Sequence, residues 1–311
     1  MSPTTTIQVP ASTTNLGAGF DALGMALQLY LHVDISLHSC VDPLISLQGE
    51  GAEELPTDEQ NLIWRVMRYV FEKEGGVVPS VHLRVSNQIP LARGLGSSAA
   101  AIVAGIACYE ALSGRQLESQ SFFRHAFAFE THPDNLAAAR YGGFTVSCVG
   151  EQGKVTFGRF HIDPKLHILI VVPEFQLSTE KARAAIPKEV NLRQAVFNLQ
   201  RSALAVAALL GGEFGLLHEA LRDQIHQPYR APLIPGFPEV LALNDEGLPG
   251  LLGLALSGAG PSVLVLAEFN VSGIYDRIRQ VFEGHGISCR RFDLGVDNVG
   301  RTIQQDSNGQ S

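Results

Sequence analysis

Polar and apolar residues in the first half of the chain follow two spacings. Where every second residue is apolar we predict strands, and where apolar residues recur every three or four positions, as in 61–73, we predict helices. Polar stretches between them predict loops at ASTTN, at GAGFDALG and at ETHPDN. The predicted elements are strands at 6–9, 27–37, 81–90, 142–149 and 155–162, and helices at 61–73, 97–107, 119–129 and 136–142.

A new series of predicted strands and helices begins at HILIVVPE. We therefore predict a domain boundary there, with one domain at 1–160 and a second at 161–311. Strands and helices interleave in both halves without a regular repeat, which predicts two α+β domains. The predicted elements of the second half are strands at 167–172, 253–257 and 263–266, and helices at 192–210, 214–223 and 274–283.

One apolar run, 247–267, contains no charged residue and is long enough to cross a bilayer. Five glycines and two prolines interrupt it. Such interruptions disfavour a membrane helix, so we predict a buried strand, a turn and a second strand instead.

Composition narrows the class of protein. A net charge of −8 over 311 residues argues against a broad nucleic-acid or anionic-membrane surface, because such surfaces need clustered Lys and Arg. The four cysteines, at 40, 108, 148 and 289, form no C-x-x-C pair, so we expect reduced thiols and no zinc site. The N-terminus lacks the features of a secretory signal, and we expect a cytoplasmic protein.

A glycine-rich turn precedes an apolar helix in IPLARGLGSSAAAIVAGIA, residues 89–107. The first amides of a helix have no intrahelical partner and carry partial positive charge, so phosphate binds there readily. Gly94 and Gly96 would allow close approach, and Ser97 and Ser98 would add hydroxyls. The stretch matches neither the P-loop, since it lacks the lysine, nor the G-x-G-x-x-G fingerprint. A plain turn before a core helix with serine caps is the alternative.

Three stretches resemble the GHMP small-molecule kinases: VPASTTNLGAGFDALGMAL, PLARGLGSSAA and LSGAGPSVLVL, in that family's order. NLGAGFDALG, THPDN, SGAGPSV and DLGVDNVGRTI are most similar to its homoserine kinase subfamily. The resemblance implies an N-terminal domain like ribosomal protein S5 domain 2, a ferredoxin-like C-terminal domain and a site in the cleft between them. It leaves a homodimer open.

The resemblance further implies ATP and Mg²⁺ as cofactors. Ser98 and Glu130 would hold the metal, with a solvated carboxylate as the alternative for Glu130. Asn61 would contact adenine, unless it is only a helix N-cap. The SGAGPS turn would steady the phosphate loop, or else only connect two strands. The residues implied to hold the nucleotide's phosphates are Pro90, Leu91, Ala92, Arg93, Gly94, Leu95, Gly96, Ser97, Ser98, Ala99 and Ala100.

For the acceptor the resemblance implies L-homoserine. Arg183 and Arg230 would bind its carboxylate through their guanidinium forks, and Asp134 its ammonium group. Asn135 would lie near the reacting hydroxyl and, with Arg183, form the catalytic set. Without the resemblance, each arginine is an ordinary solvated residue and HPDN an ordinary turn. The implied substrate-binding residues are Asn15, His132, Asp134, Asn135, Thr179, Arg183 and Arg230.

The reaction that this implies is phosphoryl transfer by direct attack of the hydroxyl. An amide such as Asn135 cannot accept a proton at neutral pH. Asp134 is the carboxylate that could act as a base, but we expect it to bind the ammonium group. A kinase for another small alcohol, such as mevalonate or a sugar, and a catalytically inactive binding module are the alternatives.

Overall fold

The computed structural model describes residues 5–37 and 44–305, so Cys40 lies outside the described part. The first half contains six strands and four helices among these residues. They are, in chain order, β1 (Thr5–Asn15), β2 (Gly19–Leu37), β3 (Ile45–Gly49), α1 (Leu62–Lys73), β4 (Val81–Asn87), α2 (Ser97–Ser113), α3 (Ser119–Ala126), α4 (Pro133–Tyr141), β5 (Phe144–Val149) and β6 (Val155–Phe160).

The second half contains a longer helical region between its first two strands. Its elements are β7 (His167–Pro173), α5 (Thr179–Ala184), α6 (Leu192–Gly211), α7 (Leu217–Ala220), α8 (Gln227–Arg230), α9 (Phe237–Ala242), β8 (Leu251–Leu256), β9 (Val263–Ala267), α10 (Val271–Gly284), β10 (Cys289–Leu294) and β11 (Thr302–Gln305).

Seven strands form the first sheet, in which β11, β1, β2, β4 and β3 lie side by side and β5 joins β2 to β6. All pairs are antiparallel except β3 with β4. The last strand of the described chain therefore lies beside the first. The boundary at residue 160 stays a prediction, since residues far beyond it complete the first sheet.

The second sheet has four antiparallel strands in the order β10, β7, β9, β8. With helices between β7 and β8 and between β9 and β10, this is the ferredoxin-like arrangement that the resemblance implied. Both faces are buried, which explains why β7 is a continuous apolar run rather than an alternating one.

The hydrophobic core joins the two sheets. Ile168, Ile170 and Val172 pack into one apolar cluster with strands of the first sheet, whereas Leu169 and Val171 face a second cluster with α9 and α10. Successive side chains of β7 point to opposite sides of the second sheet, so each side of that sheet packs against a different cluster. A shared core of this kind fixes how the two sheets, and the residues at their junction, lie relative to each other.

The predicted loops ASTTN and GAGFDALG were wrong. β1 continues through Asn15 and β2 begins at Gly19, with only a tight turn between them. Ser12, Thr13 and Thr14 are polar but fully buried, since their hydroxyls make hydrogen bonds inside the protein. Their composition indicated a solvent-facing loop because buried hydrogen-bond partners cannot be read from one sequence.

Three further boundaries differ from the predictions. HPDN begins α4, with Pro133 in the first turn where its missing N–H costs nothing. The helix predicted at 119–129 ends at Ala126, and the one predicted at 214–223 is a 3-10 turn followed by α7. The elements that we did not predict are β3, α5, α8, α9, β10 and β11.

The apolar run at 247–267 forms β8, a turn and β9, as predicted. Within the described residues, we found no helix with the length and apolar character needed to span a bilayer.

Candidate active site

A cleft lies where the two sheets meet, and six separate segments supply its walls. The turn after β1, the loop before α2, the first turn of α4, the helices α5 and α8, and the turn between β8 and β9 all contribute side chains. Because these segments come from both halves of the chain, the cleft exists only in the complete fold.

The loop before α2 presents the start of a 17-residue helix to the cleft. Gly96 is the N-cap residue in the left-handed conformation, with φ of 69°, and no side chain caps the helix. The first intrahelical bond of this turn runs from the Ala100 N–H to the Gly96 carbonyl, at 2.8 Å. The amides of Ser97 and Ser98 precede it, so they face the cleft as donors for an anion. Ser97 and Ser98 are therefore not caps, which corrects that part of the alternative, while anion binding by this turn stays a prediction.

Protein packing, not only ligand approach, requires glycine in this loop. A Cβ atom on Gly96 would collide with the Ser12 hydroxyl and lie 2.9 Å from Oδ1 of Asn135. A Cβ on Gly94 would collide with the Ser257 carbonyl, and Gly94 also has a φ of 73°. The glycines therefore let the loop lie directly against β1 and α4 and against the turn after β8.

The turn between β8 and β9 holds the loop from behind. The Ser257 hydroxyl donates to the Gly94 carbonyl at 2.7 Å and lies 2.8 Å from the Thr13 hydroxyl. The Ser262 N–H donates to the Arg93 carbonyl, at 3.3 Å. These contacts confirm that the SGAGPS turn supports the loop before α2, as predicted, and phosphate binding by that loop stays a prediction.

An apolar cavity adjoins the cleft and shares Ser97 and Ser98 with it. Asn61 lines this cavity and is also the N-cap of α1, since its Oδ1 accepts from the Ile63 N–H at 3.0 Å. Its Nδ2 donates to the Pro56 carbonyl, at 2.8 Å. The capping alternative is therefore confirmed, and a contact of Asn61 with a base stays a prediction. The other apolar wall residues include Leu31, Leu47, Leu55, Leu62, Leu91 and Ala101.

Glu130 and Ser98 lie on the wall of the same cleft. Burial alone would raise the pKa of the Glu130 carboxyl, but hydrogen bonds from His132 and the Thr131 N–H outweigh it and lower that pKa. The contacts fall on Oε1, with Thr131 N at 2.7 Å and His132 Nδ1 at 3.3 Å. Within the described residues none falls on Oε2. An ionised carboxylate with a free oxygen, in a cleft that Ser98 also lines, fits Mg²⁺, which takes few protein ligands.

The first turn of α4 places Asp134 and Asn135, two of the predicted substrate-binding residues, in the cleft. Asp134 is almost fully buried, and this burial raises the pKa of its carboxyl to about 6. Asn135 accepts from the Ser12 hydroxyl at 2.8 Å through Oδ1, and its Nδ2 lies 3.4 Å from the Thr14 hydroxyl. The Asn135 amide thus lies against the loop before α2, next to Gly96.

Arg230 is only 2% exposed, yet no carboxylate among the described residues forms an ion pair with it. Its guanidinium donates to the carbonyls of Ala182, at 3.3 Å, and Gly258, at 3.1 Å. Burial, and after it the nearby Arg183, lower the pKa of Arg230 to about 10. A buried cation without a counter-ion is costly, so the site favours an anionic ligand at this point.

Arg183, by contrast, is paired within the protein. Its two terminal nitrogens lie 3.2 and 2.8 Å from the two carboxylate oxygens of Asp21, a bidentate pair. Asp21 is a non-glycine residue in the left-handed conformation, with a φ of 56°. Its N–H donates to Oδ1 of Asn15 at 3.0 Å. We did not assign Asp21 from the sequence. The available signal was an acidic residue isolated within the glycine-rich GAGFDALG.

A buried histidine holds Arg230 in place. The Nε2 atom of His226 lies 2.8 Å from the Gly17 carbonyl, which can only accept, so Nε2 carries the proton. Nδ1 is then free to accept from Arg230, at 3.3 Å. Burial lowers the pKa of His226, which keeps the ring neutral. Phe20 stacks on that ring, at 5.2 Å between centroids, and the guanidinium groups of Arg183 and Arg230 lie over the Phe20 ring, 5.2 and 5.4 Å from its centroid.

The structure brings most of the predicted site residues together. Asn61 and Leu91 line the apolar cavity, whereas Pro90 and Ala100 are buried and line neither cavity. Asp21, Thr14, Gly258 and Ala259 also line the cleft without having been predicted. The predicted residues that line the cleft are Asn15, Ala92, Arg93, Gly94, Leu95, Gly96, Ser97, Ser98, Ala99, Glu130, His132, Asp134, Asn135, Thr179, Arg183 and Arg230.

Comparison with known proteins identifies the class to which this fold and cleft belong. Residues 61–143 match the family model for the GHMP kinases N terminal domain, and residues 205–284 match the model for GHMP kinases C terminal. The chain belongs to the GHMP kinase family.

Full-length relatives narrow the family further. The chain is 39% identical to homoserine kinase of Persephonella marina over 96% of this chain and 97% of that one. It is 42% identical to homoserine kinase of Aquifex aeolicus over 88% and 91%. A crystal structure of homoserine kinase from Cytophaga hutchinsonii superimposes with a TM-score of 0.84, at 28% identity and 98% coverage of both chains. Within the GHMP kinases, the chain belongs to the homoserine kinases.

Proposed function

We propose that the protein transfers the γ-phosphoryl group of ATP to the side-chain hydroxyl of L-homoserine, giving O-phospho-L-homoserine in the cytoplasm for threonine synthesis. The buried, unpaired guanidinium of Arg230, in the same cleft as the amides at the start of α2, supports this proposal most directly. The Arg230 guanidinium suits a carboxylate, and the amides at the start of α2 suit a phosphate chain.

The charges of the cleft match those of an amino acid. Arg230, with Arg183 beside it, offers guanidinium groups to the carboxylate, while Asp134 and Asp21 offer carboxylates to the ammonium group. A mevalonate or a sugar has no ammonium group and would leave buried Asp134 without a partner. An unpaired buried charge opposes binding, so this arrangement favours homoserine over the other alcohols that we considered.

The nucleotide would occupy the cleft and the adjoining apolar cavity. Its phosphates would lie on the amides of Ser97 and Ser98, and its base among the leucines of the cavity. The Ser98 hydroxyl and Glu130 would hold Mg²⁺, which supplies charge neutralisation for the phosphates when bound.

In the reaction, the homoserine hydroxyl oxygen forms a bond to the γ-phosphorus while the bond from that phosphorus to the β–γ bridging oxygen breaks. ADP leaves with the bridging oxygen, and the hydroxyl proton passes to the transferred phosphate or to water. Asn135 holds the hydroxyl in line, because its amide lies beside the loop at Gly96. Phosphoryl transfer depends chiefly on such positioning and on charge stabilisation.

Purified protein with Mg-ATP and a panel of homoserine, mevalonate and galactose, with coupled detection of ADP, tests this proposal. We expect turnover with homoserine and little with the others. Preferred turnover of mevalonate or galactose would show another GHMP kinase. Absence of Mg-ATP binding by calorimetry would show an inactive binding module.

A further inference from the structure

Residues 297–301, DNVGR, join β10 to β11, and we call them the DNVGR segment. The segment is part of DLGVDNVGRTI, one of the stretches that resemble the homoserine kinases, but none of its residues lines the cleft or the apolar cavity. Its backbone contacts the last turn of α4, whose first turn carries Asp134 and Asn135. The segment therefore acts on the cleft only through the elements that it contacts.

The segment completes the hydrogen bonding at the end of α4. The last carbonyls of a helix have no partner within the helix. The Arg301 N–H lies 3.1 Å from the carbonyl oxygens of both Ala139 and Arg140, and the Gly142 N–H donates to the Ala138 carbonyl at 2.8 Å. An amide from far along the chain thus serves two carbonyls of the last turn of α4.

Two glycines allow the segment and the helix end to touch. Gly142 has a φ of 72° and Gly300 a φ of 81°, conformations that other residues rarely adopt. A Cβ atom on Gly300 would lie 2.5 Å from the Gly142 nitrogen and 2.6 Å from the Arg140 carbonyl oxygen. These neighbours are backbone atoms, which cannot turn aside as a flexible side chain does. A larger residue at position 300 therefore has to separate α4 from the segment.

Asp297 folds the segment into the shape that reaches α4. Its carboxylate is buried, and Oδ1 accepts from the N–H groups of Val299, at 2.9 Å, and Gly300, at 2.6 Å. Oδ2 accepts from the Tyr30 hydroxyl at 3.0 Å. The Asp297 carbonyl accepts from the Gly143 N–H at 2.7 Å, just beyond the end of α4. One residue thus ties the segment to β2 and to the chain that leaves α4.

The inner face of α4 does little to fix the helix along its own axis. This face consists of Leu136 and three alanines, Ala137–Ala139, all fully buried. Helices interlock through ridges of side chains, and alanines form only low ridges. At the other end the Asp134 carbonyl lies directly on β2, since a Cβ on Gly24 would be 2.6 Å from its oxygen. A firm contact at the last turn is therefore what fixes the axial position of α4.

The position of the Asp134 carboxylate depends on where α4 lies. Among the described residues, the hydrogen bond that this carboxylate accepts comes from the Asn135 N–H, at 2.8 Å, within the same helix. Because α4 has only nine residues, it is about 14 Å long at 1.5 Å per residue and moves as one body. A shift at the last turn consequently reaches Asp134 and Asn135, since close-packed interiors transmit strain.

We propose that the DNVGR segment positions the acceptor site: it fixes α4 along its axis and so sets where Asp134 and Asn135 meet the acceptor. Gly300 and Asp297 are then positioning residues, because they act through α4 and touch no substrate. This role rests on the proposed function, which assigns acceptor binding to Asp134 and Asn135.

Steady-state kinetics of Gly300→Ala, with homoserine and ATP varied in turn, test the proposal. The homoserine KM should rise by about tenfold to a hundredfold, as expected when binding groups are displaced by about 1 Å. The KM for ATP should not change, because the backbone of the segment contacts α4 and not the loop before α2. The control is Gly286→Ala, since Gly286 has a φ of 74° and an added Cβ meets nothing within 4 Å. This control should keep both KM values.

A second pair of variants tests the same role without adding a Cβ at the contact. Asp297→Ala removes the acceptor for the Val299 and Gly300 N–H groups and should raise the homoserine KM as Gly300→Ala does. Asp297→Asn keeps an oxygen for both donors and should restore the homoserine KM. Circular dichroism, and calorimetry with Mg-ATP, identify the folded protein on which these constants are measured.

A merely structural role would lower the unfolding free energy of the variants and leave the homoserine KM of the folded protein unchanged. That result in Gly300→Ala and Asp297→Ala, or equal rises in the KM for homoserine and for ATP, would overturn the proposal. The variants are compared with whichever acceptor the unmodified protein turns over. An unmodified protein that prefers mevalonate or a sugar therefore contradicts the proposed function, whereas an unchanged acceptor KM contradicts the positioning role.

Discussion

At the scale of single residues, the cleft holds charges that the isolated fold would be more stable without. Burial opposes the ionisation of Asp134, which raises its pKa to about 6. Arg230 is buried and has no carboxylate partner among the described residues. Such groups are typical of binding sites, where the ligand supplies the missing interaction. The family resemblance identified both residues from HPDN and QPYR, but their burial could not be read from the sequence.

Asp134→Asn should stabilise the ligand-free protein at pH 8 by about 3 kcal/mol, given roughly 1.4 kcal/mol per pKa unit. The folded pKa of Asp134, about 6, is above its ordinary value of 3.8, so the folded state binds the proton more tightly. The stability contribution of Asp134 is therefore complete below about pH 4 and is lost as the pH rises through 6. Urea unfolding of both proteins across this range measures the difference, which should vanish at the acid end.

The kinetics of Asp134→Asn distinguish two possible roles of Asp134, binding of the ammonium group and general-base catalysis. If Asp134 binds the ammonium group, Asp134→Asn raises the KM for homoserine. A large fall in kcat with an unchanged homoserine KM would instead identify Asp134 as a general base. In the unmodified enzyme, kcat/KM for homoserine should fall about tenfold per pH unit below 6, as Asp134 becomes protonated.

Arg230→Lys should raise the homoserine KM by about tenfold to a hundredfold, since one lost hydrogen bond to a charged group is worth about 1.5 to 3 kcal/mol. The charge remains but the fork is lost. Arg183→Lys should act in the same direction and less strongly, because Arg183 is 40% exposed at its side chain. Steady-state kinetics check this, and equal changes in the KM for ATP would contradict a carboxylate-binding role for either arginine.

At the scale of elements, periodicity predicted the helices and strands whose partners are close by. α1, α2, α6 and α10 and the β5–β6 pair were found near their predicted positions. The loop predicted at ASTTN failed because buried hydroxyls of β1 bond to residues more than a hundred positions away. β11 was missed for the same reason, since only its pairing with β1 makes four polar-rich residues a strand.

The two ends of α2 provide a matched pair of glycine substitutions. Gly96 and Gly114 both have a φ of 69°, so alanine at either position should cost about 1 to 2 kcal/mol in unfolding free energy. A Cβ at Gly114 meets nothing within 4 Å, whereas one at Gly96 collides with Ser12 and Asn135.

We therefore expect Gly114→Ala to keep its kinetic constants. Gly96→Ala should lose more stability and lower kcat/KM by at least about a hundredfold, as expected when reacting groups are displaced by about 1 Å. Comparable kinetics for the two variants would show that the contact between the loop and Asn135 does not matter for catalysis.

At the scale of the whole molecule, the two ends of the described chain lie side by side and a shared core joins the two sheets. The cleft therefore depends on closing the first sheet with its last strand. Beside that strand, buried Glu110 of α2 pairs with Arg140 of α4 and with Arg301. This cluster joins α2 and α4, whose first turns both line the cleft, and no local pattern in the sequence indicates it.

Arg301→Met should lower the free energy of unfolding by about 3 kcal/mol, because it removes one partner of a buried ion pair. The control is Arg277→Met, which breaks the exposed pair with Glu246 and should cost less than about 1 kcal/mol. Chemical unfolding of both variants measures the two values. Equal losses would mean that the Glu110 cluster contributes no more than a surface pair.

The bidentate contact between Arg183 and Asp21 affects which ligands the cleft can bind, because a ligand must replace this ion pair. A molecule with only a negative group that took Arg183 would leave Asp21 with His132, 3.6 Å away, in place of the guanidinium, and a molecule with only a positive group would leave Arg183 without its carboxylate partner. A zwitterion satisfies both at once and so exchanges one complete set of partners for another. For the proposed substrate, discrimination between amino acids and simple hydroxy acids would thus begin before any phosphate is transferred.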